Sequence, residues 1–274
     1  MNISKFTIYL ILVVLSFFSM QASAGDRNGK DKKDKSLLRS LYAPAEPDTI
    51  LSKPMPDRIL NGAVQPVIVL LGSRPCVEGI DVSHYQGRID WSRVAQTDKA
   101  NYVYLKATEG ANLVDDTYKF NLSEAKRAKL KVGSYHFFRA NVSVSEQFDN
   151  FIRTVDPKEQ DLIPIIDVEV MPRGMSLSKF HSRLDEFLRL VTEVFGKRPM
   201  IYTGKNFYNR YFADTNFRKY LFMIACYTVD EPELDNNDDY IIWQYTCKGR
   251  VDGVRGNVDI SKIMGHHSLK EIMY

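Results

Sequence analysis

The run Ile165-Ile166-Asp167-Val168-Glu169 sets two carboxylates two residues apart. The preceding residues LIPII (162–166) are apolar enough to form a strand buried on both faces. In an extended strand, residues i and i+2 share a face, with Cα atoms about 6.5–7 Å apart. Like charges at that spacing raise each other's cost of ionisation, so one carboxyl is pushed toward its protonated form near neutral pH. One site can then hold a general acid beside a carboxylate. Taken alone, Asp167 and Glu169 could equally pair with Lys or Arg in a structural ion network. Asp81 in GIDVSH and Asp259 in GNVDIS add carboxylates at other strand ends and shift the balance to catalysis. Several carboxylates among Tyr and Trp suit sugar chemistry, with acids for the glycosidic oxygen and aromatic faces for the rings.

Such residues need a scaffold that brings strand ends together. Strands are expected at 79–84, 102–108, 132–138, 162–169, 199–204, 220–227 and 239–246, each short and rich in β-branched or aromatic residues. Helical patterns fall at 115–131, 142–155 and, most clearly, 176–197. In the last, Leu177, Phe180, Leu184, Phe187, Leu188, Val191 and Val194 form one stripe, with Ser176 as N-cap and Gly196 near the end. Alternating strands and helices imply parallel strands with helical crossovers. After Gly204 the spacing shortens and the helix signals weaken. About 200 residues is small for a complete eight-fold barrel, which typically needs about 250. The expected fold is therefore α/β, an incomplete or irregular (β/α) barrel of TIM-like type forming one catalytic domain over 76–274. No GxGxxG follows the first strand, so a dinucleotide site has no support.

In such barrels function gathers at the C-terminal ends of the strands. The polar residues there are Asp81, Ser83 and His84; Lys106, Thr108 and Glu109; Tyr135 and His136; Asp167 and Glu169; Tyr202 and Thr203; Tyr227; and Trp243, Gln244 and Tyr245. Asp259 follows the last clear strand.

The rest of the chain sets bounds. Its 37 Lys+Arg against 34 Asp+Glu give a formal charge of +3, too small to argue for nucleic acid. Hydrophobic residues at 44% and charged residues at 26% exclude a wholly disordered or polytopic membrane chain. Fifteen Tyr and 15 Phe fit either core packing or a groove that stacks on sugar rings. Lys5, the apolar run 6–18 and Ala22-Ser23-Ala24 read as a signal peptide over 1–24. The expectation is export to a periplasm or the medium, with no stable membrane span after cleavage. Residues 25–75 read as a polar, Pro-containing extension or linker, with a short apolar run at 64–71.

GIDVSHYQGRIDW, YLKATEG, GSYHFFR, PIIDVE, MIYTG, IIWQYT and GNVDIS occur in that order. Together they closely resemble glycoside hydrolase family 25, the Chalaropsis-type lysozymes, over about residues 77–265. The resemblance implies a 1,4-β-N-acetylmuramidase (lysozyme) that cleaves between N-acetylmuramic acid and N-acetylglucosamine in peptidoglycan. By motif position it implies Glu169 as general acid/base, with Asp167, Asp81 and Asp259 as the other active-site carboxylates. It also implies a substrate groove lined by Tyr135, Tyr202, Tyr227, Trp243 and Gln244. Met223 stands where relatives often carry Trp, and VDIS replaces the commoner VDLN. Two mechanisms stay open: a retaining path assisted by the substrate's acetamido group, oriented by Asp167, and an inverting path with Asp81 or Asp167 as base. Family 18 chitinases also end a strand in DxE, but Ile165 stands where their motif has an aspartate. The other reading from a different class is a non-catalytic peptidoglycan-binding module.

No cofactor and no metal are expected. His84 and His136 end adjacent strands without HxH or HExxH spacing, and His266-His267 reads as a surface pair. Cys76, Cys226 and Cys247 allow one disulfide and one free thiol. Cys226 lies in an apolar strand, which leaves Cys76–Cys247 favoured by elimination. A monomer acting on glycan strands is the expected state.

Overall fold

The computed structural model describes residues 76–274. The expected signal peptide, the polar extension and its apolar run at 64–71 lie outside the described residues. The strands are β1 (Glu78–Val82), β2 (Tyr102–Glu109), β3 (Leu113–Val114), β4 (Lys131–Phe137), β5 (Ile165–Asp167), β6 (Met200–Gly204), β7 (Phe222–Ala225), β8 (Ile242–Gly249) and β9 (Val258–Ile263). The helices are α1 (Trp91–Val94), α2 (Tyr118–Arg127), α3 (Val144–Thr154), α4 (Leu177–Phe195) and α5 (Lys205–Tyr211).

From β1 through β2, β4, β5, β6 and β7 to β8, successive strands pair in parallel. β9 is antiparallel to both β8 and β1 and closes the ring. The result is an irregular, TIM-like mixed barrel of eight strands, with β3 a short flap on β2. The ring itself is complete, and what is abbreviated is the helical layer. β1 reaches β2 through the four-residue α1, β7 reaches β8 without an α-helix, and β8 returns directly as β9. This is how about 200 residues close a barrel that usually takes about 250. β9 was not among the expected strands. Asp259 therefore lies inside a strand and not after the last one.

The 162–169 strand shrinks to Ile165–Asp167. Pro164 has no N–H to give a ladder, although the Val168 N–H still bonds Tyr202 O at 2.9 Å. Helix α4 matches its expected bounds closely. The Ser176 side chain accepts from Lys179 N, and Gly196 ends the helix at φ 72°, a conformation open to glycine. Phe180, Leu184, Phe187, Leu188 and Val191 are fully buried, whereas Leu177 and Val194 are exposed. Phe195 takes the place assigned to Val194.

Two apolar layers result. The outer layer lies between strands and helices and takes most of the phenylalanines, including the group Phe180, Phe207, Phe212, Phe217 and Phe222. Much of the aromatic richness is thus ordinary packing. The inner layer includes Tyr102, Tyr104, Ile163, Ile165, Met200, Met223, Ile242 and Ile263. Tyr102 and Tyr104 fill the barrel because glycines face them. A Cβ at Gly79 would stand 2.2 Å from the Tyr102 ring, and one at Gly133 would stand 2.4 Å from the Tyr104 ring. Both hydroxyls are satisfied, by Ser261 at 2.9 Å and Ile163 O at 3.2 Å. The C-terminal segment covers the base, where Ile272 is fully buried and Met273 bridges Leu162.

The expected Cys76–Cys247 disulfide is not formed, and all three cysteines are free thiols. Glu78 and Trp243 both align with Lys262. That register sets Cys76 level with residue 241, six positions below Cys247. At about 3.3 Å per residue, the two stand roughly 15–20 Å apart along the strands, far beyond the ~7 Å Cα limit of a disulfide. No helix among the described residues is long and apolar enough to cross a membrane.

Candidate active site

The C-terminal strand ends enclose a cavity of about 240 Å³. Asp81, Tyr135, Asp167, Tyr202, Gln244 and Asp259 reach it from six strands, Glu169 and Tyr227 stand just beyond β5 and β7, and Tyr104, Ile165 and Met223 form its floor. Eight of the nine residues expected at the site thus meet in one place. The antiparallel pairing of β1 with β9 sets Asp81 directly opposite Asp259.

Trp243 is the exception. Alternation along β8 turns Ile242 and Gln244 inward and Trp243 outward, into the layer under the helices. There its Nε1 donates to Cys226 O at 2.7 Å, and Lys262 Nζ lies 4.8 Å from its ring centroid. Tyr104, Ile165 and Met223 were missed as site residues. The same alternation marks them: Tyr104 shares a face with Lys106, Ile165 with Asp167, and Met223 is the inward partner of Tyr202 and Ile242.

Gln244 is the polar hub. Its Oε1 accepts from Tyr202 Oη at 3.0 Å and from Tyr227 Oη at 2.9 Å. Its Nε2 donates to Asp81 Oδ2 at 2.9 Å. Asp167 lacks such support, since its Oδ1 is buried with no hydrogen-bond partner among the described residues. A buried lone acceptor is costly unless a ligand donor completes it.

Burial, joined by mutual repulsion, raises the acids. Loss of hydration and then the Glu169 charge hold Asp167 well above the carboxylate range, while Lys106 pulls the other way. Burial and then Asp259 do the same to Asp81, against the donor from Gln244. Asp259 is pushed up by burial to about 6. Glu169 is open to solvent from above but crowded on its other sides. Desolvation raises it, the Tyr202 hydroxyl opposes, and Asp259 adds to the rise. The four acids thus form one interacting set, each held above its ordinary range, whose protons belong to the group and not to a single member.

Other strand-end residues serve as frame. Lys106 Nζ bonds Glu109 at 2.8 Å, and Arg139 Nε bonds the other oxygen of Glu109 at 3.0 Å. Burial alone would raise Glu109, but these two cations outweigh it and hold its carboxyl below its ordinary range. His84 Nδ1 meets Asp115 at 2.8 Å. His136 faces outward, fully buried between Thr108 at 2.7 Å and Gln147 at 3.2 Å and stacked on Phe187. Burial pushes it down to about 4. Thr203 Oγ1 donates to Val168 O at 2.7 Å and so braces the turn before Glu169. Tyr245 turns out to meet Glu78.

A β/α barrel with acids and tyrosines gathered above its strands is the frame of the glycosidase class. Comparison narrows this. Residues 80–254 match the model of the family described as Glycosyl hydrolases family 25. The chain is 36% identical over 194 residues to the uncharacterized protein YegX of Escherichia coli (strain K12), covering 69% of this chain and 70% of that one. It is 33% identical over 201 residues to Lysozyme M1 of Streptomyces globisporus, with 69% and 68% covered. Among solved structures, the bacterial lysozyme from Streptomyces coelicolor aligns with a TM-score of 0.63 at 32% identity, covering 72% of this chain and 94% of that one. A family 25 glycosyl hydrolase from Bacillus anthracis aligns with a TM-score of 0.64 at 27% identity, covering 71% and 91%. The chain belongs to glycosyl hydrolase family 25.

Proposed function

We propose that this protein is a muramidase that hydrolyses the β-1,4 bond between N-acetylmuramic acid and N-acetylglucosamine in peptidoglycan. The observation that carries the reading is the pair Asp167 and Glu169 in one cavity, both raised, with Asp167 Oδ1 unpaired. Glu169, at the rim and raised above its ordinary range by burial, donates a proton to the leaving glycosidic oxygen. Asp167 accepts the N–H of the substrate's 2-acetamido group, which supplies the missing partner of Oδ1 and turns the acetamido oxygen toward the anomeric carbon. Attack by that oxygen breaks the bond to the leaving sugar and forms a cyclic oxazolinium ion. Water, giving its proton to the now ionised Glu169, then attacks the anomeric carbon from the opposite face and reopens the ring, so the configuration is retained. Asp81 and Asp259 face each other across β1 and β9, and the charge that this pair carries favours a developing positive sugar. Tyr135, Tyr202 and Tyr227 offer faces and hydroxyls to the glycan.

Digestion of defined muropeptides, with mass analysis of the new reducing ends, tests the reaction. Muramic acid ends are expected. Glucosamine ends would overturn the bond assignment, and binding without cleavage would make the protein a wall-binding module. NMR of the first-formed anomer tests the path, and an inverted product would remove the acetamido group from it. We also propose that residues 1–24 direct export. N-terminal sequencing of the exported chain should begin at Gly25, and a chain retained in the cytoplasm would sink that proposal.

A further inference from the structure

At the opposite end of the barrel from the carboxylates, two stretches of chain meet. Asp239 lies just before β8, and His266-His267 lie just after β9. His266 Nε2 is 2.8 Å from Asp239 Oδ1, and His267 Nε2 is 3.0 Å from Asp239 Oδ2. One ligand atom from each of the three lies within 4.8 Å of the others. The far side of His267 is also engaged, its Nδ1 being 2.8 Å from Glu271 Oε2. The other oxygen of Glu271 is fixed by Ser268 N at 2.7 Å.

His267 therefore has a carboxylate at each ring nitrogen, and its side chain is only 12% exposed. A neutral imidazole carries one N–H and can donate to only one of them. If Nδ1–H is given to Glu271, Nε2 is a lone pair facing Asp239. A positive charge at Nε2, a proton or a metal ion, resolves that clash, and the neighbouring His266 imidazole beside the same carboxylate favours the metal ion. A histidine that donates its second nitrogen to a carboxylate while the first binds metal is the usual arrangement around protein-bound zinc.

We propose that Asp239, His266 and His267 form a zinc site, with Glu271 orienting His267. Two imidazoles and a carboxylate suit zinc better than calcium or magnesium, which take oxygen ligands. Tetrahedral zinc with ligands at about 2.0–2.1 Å needs them about 3.3 Å apart. The 2.8 and 3.0 Å contacts run to different oxygens of Asp239, and one donor atom from each residue lies within 4.8 Å of the others, so small side-chain shifts of up to about 1.5 Å bring the three to that spacing. The fourth position is left to water. His266 is well exposed, so the ion has an entry path.

The site's role follows from what it joins. The segment after β9 carries Ile272 and Met273, which cover the barrel base and bridge Leu162. Ile163 N also bonds Ile272 O at 2.8 Å. Residues 162–163 lead through Pro164 into β5, which ends at Asp167. A bound ion would clip the C-terminal segment to the start of β8 and so hold the base closed beneath the catalytic strand.

The test is calorimetric titration of the full chain, without a histidine tag, with zinc chloride after EDTA treatment, together with thermal unfolding. One zinc per chain is expected, with a rise in Tm of about 5–10 °C at a hundredfold excess over Kd. His266→Ala and His267→Ala should abolish binding, and Glu271→Gln should weaken it about 10–100-fold. Calcium and magnesium should leave Tm unchanged. Exposure of His266 makes His266→Ala a variant that folds. Zinc binding that does not saturate, or that is undiminished in any of the three variants, overturns the proposal.

Discussion

Gln244 Nε2 donates to Asp81 Oδ2 at 2.9 Å, joining two residues 163 positions apart in the chain from the strands on either side of β9. The other end of the same amide receives both Tyr202 and Tyr227. One side chain thus fixes a carboxylate and two phenols, each on a different strand or strand end.

Gln244→Met keeps similar bulk but removes donor and acceptor together. Asp81 and both hydroxyls lose a partner, which should cost about 1–3 kcal/mol of stability. Asp81 should rise further, since the Gln244 donor is what opposes its burial. Denaturant unfolding and kcat on purified peptidoglycan check this. Unchanged values of both would show the hub to be idle.

Glu169→Gln should remove most turnover, about 10²–10⁴-fold for loss of a general acid, with Tm nearly unaltered. Release of reducing ends measures the rate. Near-normal release would show that another group protonates the leaving oxygen.

Asp259→Asn tests the electrostatics through stability. The Asp259 carboxyl is raised from an ordinary value of 3.8 to about 6. Folding therefore favours its protonated form. That contribution is fully present below pH ~4 and lost as pH rises through about 6. Removing the charge should raise Tm by a few degrees at pH 7.5, with a gain that shrinks toward pH 4. Asp81 should fall at the same time, because Asp259 is the charge that most raises it. A gain independent of pH would contradict the sign.

Trp243→Phe separates wall from groove. The Nε1 bond to Cys226 O is lost, and stability should drop by about 1–3 kcal/mol. KM for glycan should stay within about twofold, since the ring lies off the cavity. A large rise in KM without loss of Tm would return Trp243 to the substrate.

The local signals in this chain were strong. The caps at Ser176 and Gly196 bound α4 because they depend on residues within a single turn. DVE announced two acids on one side because strand alternation is a local rule. Even the weakening of helix signals after Gly204 corresponds to a real thinning of the helical layer.

What the sequence by itself determined is the order of strands and helices, the acids at their ends, and the family that the ordered motifs resemble. What only the tertiary structure decided is which side of each strand faces in. Period-2 alternation divides a strand into two sets, but closure of the ring chooses between them. That is why Gln244 entered the cavity while Trp243 and His136 left it. Closure rests on β9, whose pairing with β1 joins residues about 180 positions apart, as Glu78 with Lys262, and no local pattern encodes such a register. The same long-range geometry set Cys76 and Cys247 at different heights, and brought Asp239 to His266 and His267.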